Sequence, residues 1–77
     1  MVIELKVGQA DRDAVGQTLS YMGDVADSAN IQTTRGIIIA GDFTSRAISA
    51  ARVSPHIRLL KYSFQFNFAP VEDNAAV

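Results

Sequence analysis

The chain opens on an alternation. In VIELKV, residues 2–7, Val2, Glu4 and Lys6 fall on one side of an extended backbone and Ile3, Leu5 and Val7 on the other, because successive strand side chains point to opposite faces. One side is apolar throughout; the other carries an acid and a base two positions apart. A strand is expected here, with Gly8-Gln9-Ala10 as a short connector. From Ala10 or Asp11 the period changes. Val15, Leu19, Met22 and Ala26 recur at i, i+4, i+7 and i+11, which predicts a helix with these residues as its apolar stripe. Asp11 and Asp13 stand where the N-terminal dipole favours negative charge. Gly16 and Gly23 weaken such a helix by about 1 kcal/mol each relative to alanine, and close packing is expected at both. The polar cluster Asp27-Ser28-Ala29-Asn30 reads as a loop.

A second apolar run, Arg35-Gly36-Ile37-Ile38-Ile39-Ala40-Gly41, is continuous and rich in β-branched residues, as expected of a strand buried on both faces. Thr44 or Asp42 is a suitable cap for a second helix over Ser45–Val53, where Ala47, Ile48 and Ala51 give a narrow apolar face. Pro55 closes that helix. Ile57 to Phe68 then alternates again, with Leu60, Tyr62, Phe64, Phe66 and Phe68 on one side and Lys61, Ser63, Gln65 and Asn67 on the other. A long third strand is expected. The order is strand, helix, strand, helix, strand. A right-handed crossover makes the first two strands parallel, so the fold class is α/β, a small βαβαβ core with its sheet flanked by helices.

Composition narrows the class. The 77 residues are 48% hydrophobic and 19% charged, with a formal net charge of −1, which suits one small globular domain. A chain this short buries roughly 60% of its unfolded surface. Without cysteine it has neither disulfides nor thiolate zinc sites to add stability, which leaves association with other chains as a source of buried area. No apolar run reaches the ~18–20 residues of a membrane span, and Glu4 and Lys6 interrupt any signal-peptide core; a cytoplasmic location is expected. The near-neutral charge carries no broad nucleic-acid footprint.

Two side-chain pairs carry candidate chemistry. Glu4 and Lys6 share a strand face about 7 Å apart along the backbone. A carboxylate there suits a hard divalent cation, and a neighbouring lysine can orient a water or stabilise charge on a phosphate under attack. The same pair also reads as an ordinary solvated strand surface, whose interaction is worth well under ~1 kcal/mol. Gln17 and Tyr21, at i and i+4, project from one side of the first helix, off its apolar stripe. An amide and a phenol can grip a phosphate or base, or hydrogen-bond a site carboxylate; they also read as plain helix surface.

Strand E-x-K, a short link, a helix with Q-x-x-x-Y, then an apolar strand opening on Arg-Gly form a joint order. VIELKVGQADRDAVGQTLSYMGDV followed by RGIIIAG resembles the PD-(D/E)XK nuclease superfamily over about residues 2–62. It is similar in particular to the C-terminal nuclease domain of NucS-type endonucleases, which share Q-x-x-x-Y with RecB-type nucleases. The resemblance implies a restriction-endonuclease-like core and divalent-metal-dependent hydrolysis of DNA with Mg²⁺ or Mn²⁺. It implies Glu4 as a metal ligand, Leu5 as a further ligand through its backbone carbonyl, Lys6 as the residue activating the attacking water, and Gln17 and Tyr21 as residues lining the site.

The family pattern also has an aspartate on the strand preceding E-x-K, and here only Met1, Val2 and Ile3 precede Glu4. Residues 1–68 are therefore expected to be a partial nuclease-like domain, and 69–77 a flexible tail. A catalytically inactive nuclease-like module that oligomerises and binds nucleic acid weakly is the alternative. The uncovered apolar strand and the long aromatic strand lead to the expectation of a homodimer or larger assembly, by strand pairing or exchange. His56, the only histidine, reads as loop surface. Arg12, Arg35, Arg46, Arg52 and Arg58 are left without a role, and IIIAGD lacks the glycine pattern of a nucleotide site.

Overall fold

Two parallel crossovers order the chain. The computed structural model describes residues 1–72, in which β1 (Val2–Ala10), α1 (Arg12–Ala29), β2 (Gly36–Phe43), α2 (Ser45–Arg52) and β3 (Ile57–Lys61) follow one another. The sheet has three strands in the order β1-β2-β3, and both pairings are parallel. The expected βαβαβ unit is the one observed.

Both helices cover the same face. Ala14, Val15 and Met22 of α1 and Ala47 of α2 share one core with Ile38 and Ala40 of β2. Crossovers of one hand, stepping the same way across the sheet, must place their helices on the same side. The expectation that β2 is buried on both faces is corrected accordingly. Gly36, Ile38 and Ala40 are buried beneath the helices, whereas Ile37 and Ile39, on the opposite face, are only half-buried.

Helix α1 begins where its cap permits. The Asp11 carboxylate accepts hydrogen bonds from the Asp13 and Ala14 N–H groups at 2.9 and 3.4 Å, satisfying donors that have no partner inside the helix. The helix runs past the expected loop and stops at Asn30, whose left-handed backbone lets its N–H reach the carbonyls of Ala26 and Asp27. The buried stripe is Ala14, Val15, Thr18, Met22 and Ala26. Leu19, expected in it, is 44% exposed. Thr18 is buried because its hydroxyl donates to the Ala14 carbonyl at 2.8 Å, which satisfies the polar atom and leaves the methyl to pack.

Close approach of α1 to the sheet occurs at Gly36. A Cβ there would stand 2.6 Å from Met22 Sδ and 2.9 Å from Thr18 Cγ2. Gly16 and Gly23 have open space instead, so the close packing expected at both is corrected. Helix α2 is capped by Thr44, whose hydroxyl accepts from the Ala47 N–H at 3.1 Å. Of its expected apolar face, Ala47 is buried and Ile48 is exposed.

Two strand boundaries also differ from expectation. Strand β1 continues through Gly8-Gln9-Ala10 by means of a bulge: the register shifts between Lys6 and Gln9, and Gly8 takes φ +86°. Strand β3 ends at Lys61, opposite Ala40, and does not extend to Phe68. The Tyr62 N–H still donates to the Ala40 carbonyl at 3.0 Å. Beyond it the chain leaves the sheet, and among the described residues the aromatic alternation pairs with no strand. Of the expected tail, residues 69–71 lack regular structure, and residues 73–77 lie outside the described residues.

Candidate functional site at the free edge of β1

Register decides which face holds Glu4 and Lys6. Val2, Glu4 and Lys6 are opposite Gly36, Ile38 and Ala40, and those three β2 residues are buried under the helices. Neighbouring strands in register share a face, so the acid and the base rise on the helix-covered side. Both are half-buried. Ile3, Leu5 and Val7 occupy the opposite, open face and are 63%, 66% and 92% exposed.

The backbone of β1 is equally directional. The Val2 N–H donates toward β2, to the Arg35 carbonyl at 2.8 Å. In a parallel ladder alternate residues turn their N–H and C=O to opposite sides. Ile3 and Leu5 therefore present theirs at the outer edge, where no strand pairs with β1. Leu5 thus offers a carbonyl at the edge between the two side chains singled out by the sequence.

Helix α1 overhangs that edge. Thr18 and Met22 approach Gly36, the partner of Val2, so the turn from Thr18 to Met22 lies over the start of the strands. Val15, Gly16, Leu19 and Ser20 line a groove shared with Ala50 of α2, which identifies the flank of α1 facing α2. At 100° per residue Tyr21 falls on the other flank, turned away from α2. It is 47% exposed. Gln17 lies one turn, about 5.4 Å, further along and is rotated toward solvent, where it also borders the groove with Ala50. Glu4, Lys6 and the Leu5 carbonyl thus share the edge strand, whereas Tyr21 and Gln17 are carried by α1 and Gln17 borders the groove with Ala50. Among the described residues no hydrogen bond or ion pair joins any two of their side chains.

The described residues do not surround Glu4 with a cluster of metal-ligating side chains. Among the described residues no group of three or more acidic, histidine or cysteine side chains converges. Asp11 is committed to the α1 cap, at the far end of β1 from Glu4 and roughly 20 Å along the strand. Asp13 lies in the first turn of the same helix. A cation such as Mg²⁺ held by one carboxylate and one carbonyl would keep most of its waters and bind weakly.

Other charged groups cluster elsewhere. Asp42 accepts the Phe43 N–H at 2.9 Å and pairs with Lys61 at 3.4 Å; the backbone donor first, then the lysine, hold its carboxyl below the usual value. At the opposite end of the sheet, Arg35, His56 and Arg58 border a cavity of about 410 Å³. The sequence reading left all three unassigned. Parallel pairing of Ile37 with Arg58, and the bond from the Gly36 N–H to the His56 carbonyl, bring them together. Their positions at the starts of two adjacent parallel strands were the signal.

No helix among the described residues is long and apolar enough to cross a membrane. No family model, curated protein or solved structure matches the chain.

Proposed function

We propose that this chain is a nuclease-like module of the PD-(D/E)XK kind, carrying the E-x-K half of a divalent-metal-dependent DNA endonuclease site and, on its own, binding nucleic acid weakly without cleaving it. The observation that supports this reading is that Glu4, Lys6 and the Leu5 carbonyl lie on the edge strand β1, with Glu4 and Lys6 on its helix-covered side. Lys6 supplies the cation for a backbone phosphate there. Tyr21 supplies a half-exposed phenol that can stack on a base or donate to a phosphate oxygen. The single carboxylate separates a binding module from an autonomous nuclease, since hydrolysis of this type uses a metal held between acids. A restriction-endonuclease-like core is the finer description of the βαβαβ unit on this reading.

The test measures binding and cleavage together. Fluorescence anisotropy with single-stranded and branched DNA, at low salt, is expected to show weak binding that falls further in Lys6→Ala and Tyr21→Ala. Incubation of the same DNA with Mn²⁺ is expected to leave it intact. Cleavage abolished by Glu4→Ala would replace the inactive module with an endonuclease whose second carboxylate comes from another chain. Binding that is absent, or indifferent to both substitutions, overturns the nuclease-like reading.

A further inference from the structure

The open face of the sheet and the segment that follows β3 each lack what the other provides. On the open face stand Ile3, Leu5 and Val7 of β1, Ile37 and Ile39 of β2 and Leu60 of β3, with Arg58 the one charged side chain among these strand positions. The following segment alternates Phe64, Phe66 and Phe68, which are 77%, 76% and 93% exposed, with Ser63, Gln65 and Asn67. Among the described residues, no backbone hydrogen bond involves Ser63 to Pro70. No residue from Tyr62 to Val71 is charged, although exposed strands are normally protected from pairing by charge.

The root of this arm is fixed. The Tyr62 ring lies against Gly41, its hydroxyl accepts the Gly8 N–H, and Phe64 meets it edge-on at 5.2 Å and 68°. Beyond Phe64 the arm runs outward. The molecule is 65 Å along its longest axis and 28 Å across, with a radius of gyration of 18.5 Å, against about 11–12 Å for a compact chain of this length. Phe64 borders the open face beside Leu5 and Val7, but Phe66 and Phe68 beyond it stay exposed, and Leu5 and Val7 remain largely uncovered.

We propose that the open face, Phe64 included, and the arm beyond it that carries Phe66 and Phe68 are the two halves of a homodimer interface, each arm lying across the other copy's open face beside Leu5 and Val7. Every copy has one arm and one face, and two copies that exchange arms reciprocally leave neither unpaired, which closes the assembly at two chains. Its area fits. Phe64 at the face and Phe66 and Phe68 of the arm together offer on the order of 500 Å², and the exposed aliphatic side chains of the open face add on the order of 250 Å². That approaches the roughly 800 Å² per partner of a stable interface and exceeds the ~300–600 Å² of a typical monomer's largest apolar patch. Between Leu5, Val7, Ile39, Tyr62 and Phe64 the face already has a groove of about 270 Å³, room for an aromatic ring from the partner.

Molar mass by light scattering on the full chain tests this without metal or DNA, so its outcome is independent of the nuclease-like reading. The wild-type chain is expected at twice the 8.3 kDa monomer mass at tens of micromolar. The triple variant Phe64→Ser, Phe66→Ser, Phe68→Ser, and separately Leu5→Glu, are expected at the monomer mass with unchanged helical circular dichroism, since none of these side chains belongs to the buried core. A monomeric wild type, an open-ended series of masses, or a dimer that survives loss of the arm overturns the proposal.

Discussion

The backbone N–H of Gly8 donates to the Tyr62 hydroxyl at 3.1 Å, joining residues 54 positions apart. One is the bulge glycine of β1 and the other the first residue past β3, so the bond spans the sheet above β2. Gly8 reaches this geometry at φ +86°, a conformation that costs an L-residue about 1–2 kcal/mol. Gly8→Ala is expected to destabilise by about that amount although its Cβ would meet open space. Tyr62→Phe is expected to cost about 0.5–1.5 kcal/mol through the lost bond. Urea unfolding of each variant checks both, and a neutral Gly8→Ala would show that the bulge relaxes without cost.

Three glycines at or beneath α1 are expected to respond in opposite directions. At Gly16 and Gly23 an added methyl meets nothing, so Gly16→Ala and Gly23→Ala should each stabilise by about 1 kcal/mol through helix propensity. At Gly36 the same methyl meets Met22 and the branched Thr18, both buried, and Gly36→Ala should destabilise by about 1–3 kcal/mol. Thermal unfolding followed at the helix signal distinguishes them; a stabilised Gly36→Ala would mean that α1 sits further from β2.

Stability should fall in acid partly through Asp42. Its folded-state pKa is depressed, first by the Phe43 N–H and then by Lys61. A depressed pKa contributes stability that is present above the unfolded value, near ~3.9, and lost as pH falls through the folded one. Asp42→Asn is expected to be less stable than wild type near neutrality, with the gap narrowing below about pH 4. Both partners are more than half exposed, so the Lys61 share should shrink in high salt. Denaturation curves over a pH series measure the gap, and a gap that does not change with pH removes Asp42 from the account.

The elements of this protein are legible in its sequence because their causes are local. Asp11 and Thr44 cap the helices with their own side chains. The β-branched run from Ile37 to Ile39 extends the backbone wherever it lies. The pairing of Glu4 with Lys6 on one strand face, and of Gln17 with Tyr21 on one helix side, follows from period alone.

Which side of each element would be covered was decided only by tertiary structure. Alternation in VIELKV separates two faces without saying which one the helices occupy. That followed from the two crossovers stepping the same way, which put Glu4 and Lys6 beside α1 and left Ile3, Leu5 and Val7 open. Leu19 gave up its place in the buried stripe to Thr18 because α1 is rotated by its contact with Gly36. Arg35, His56 and Arg58 met because parallel strands bring their starts to one end. The aromatic alternation after Lys61 specified an extended chain, but a strand needs a neighbour to donate and accept hydrogen bonds, and past Tyr62 the described residues offer it none.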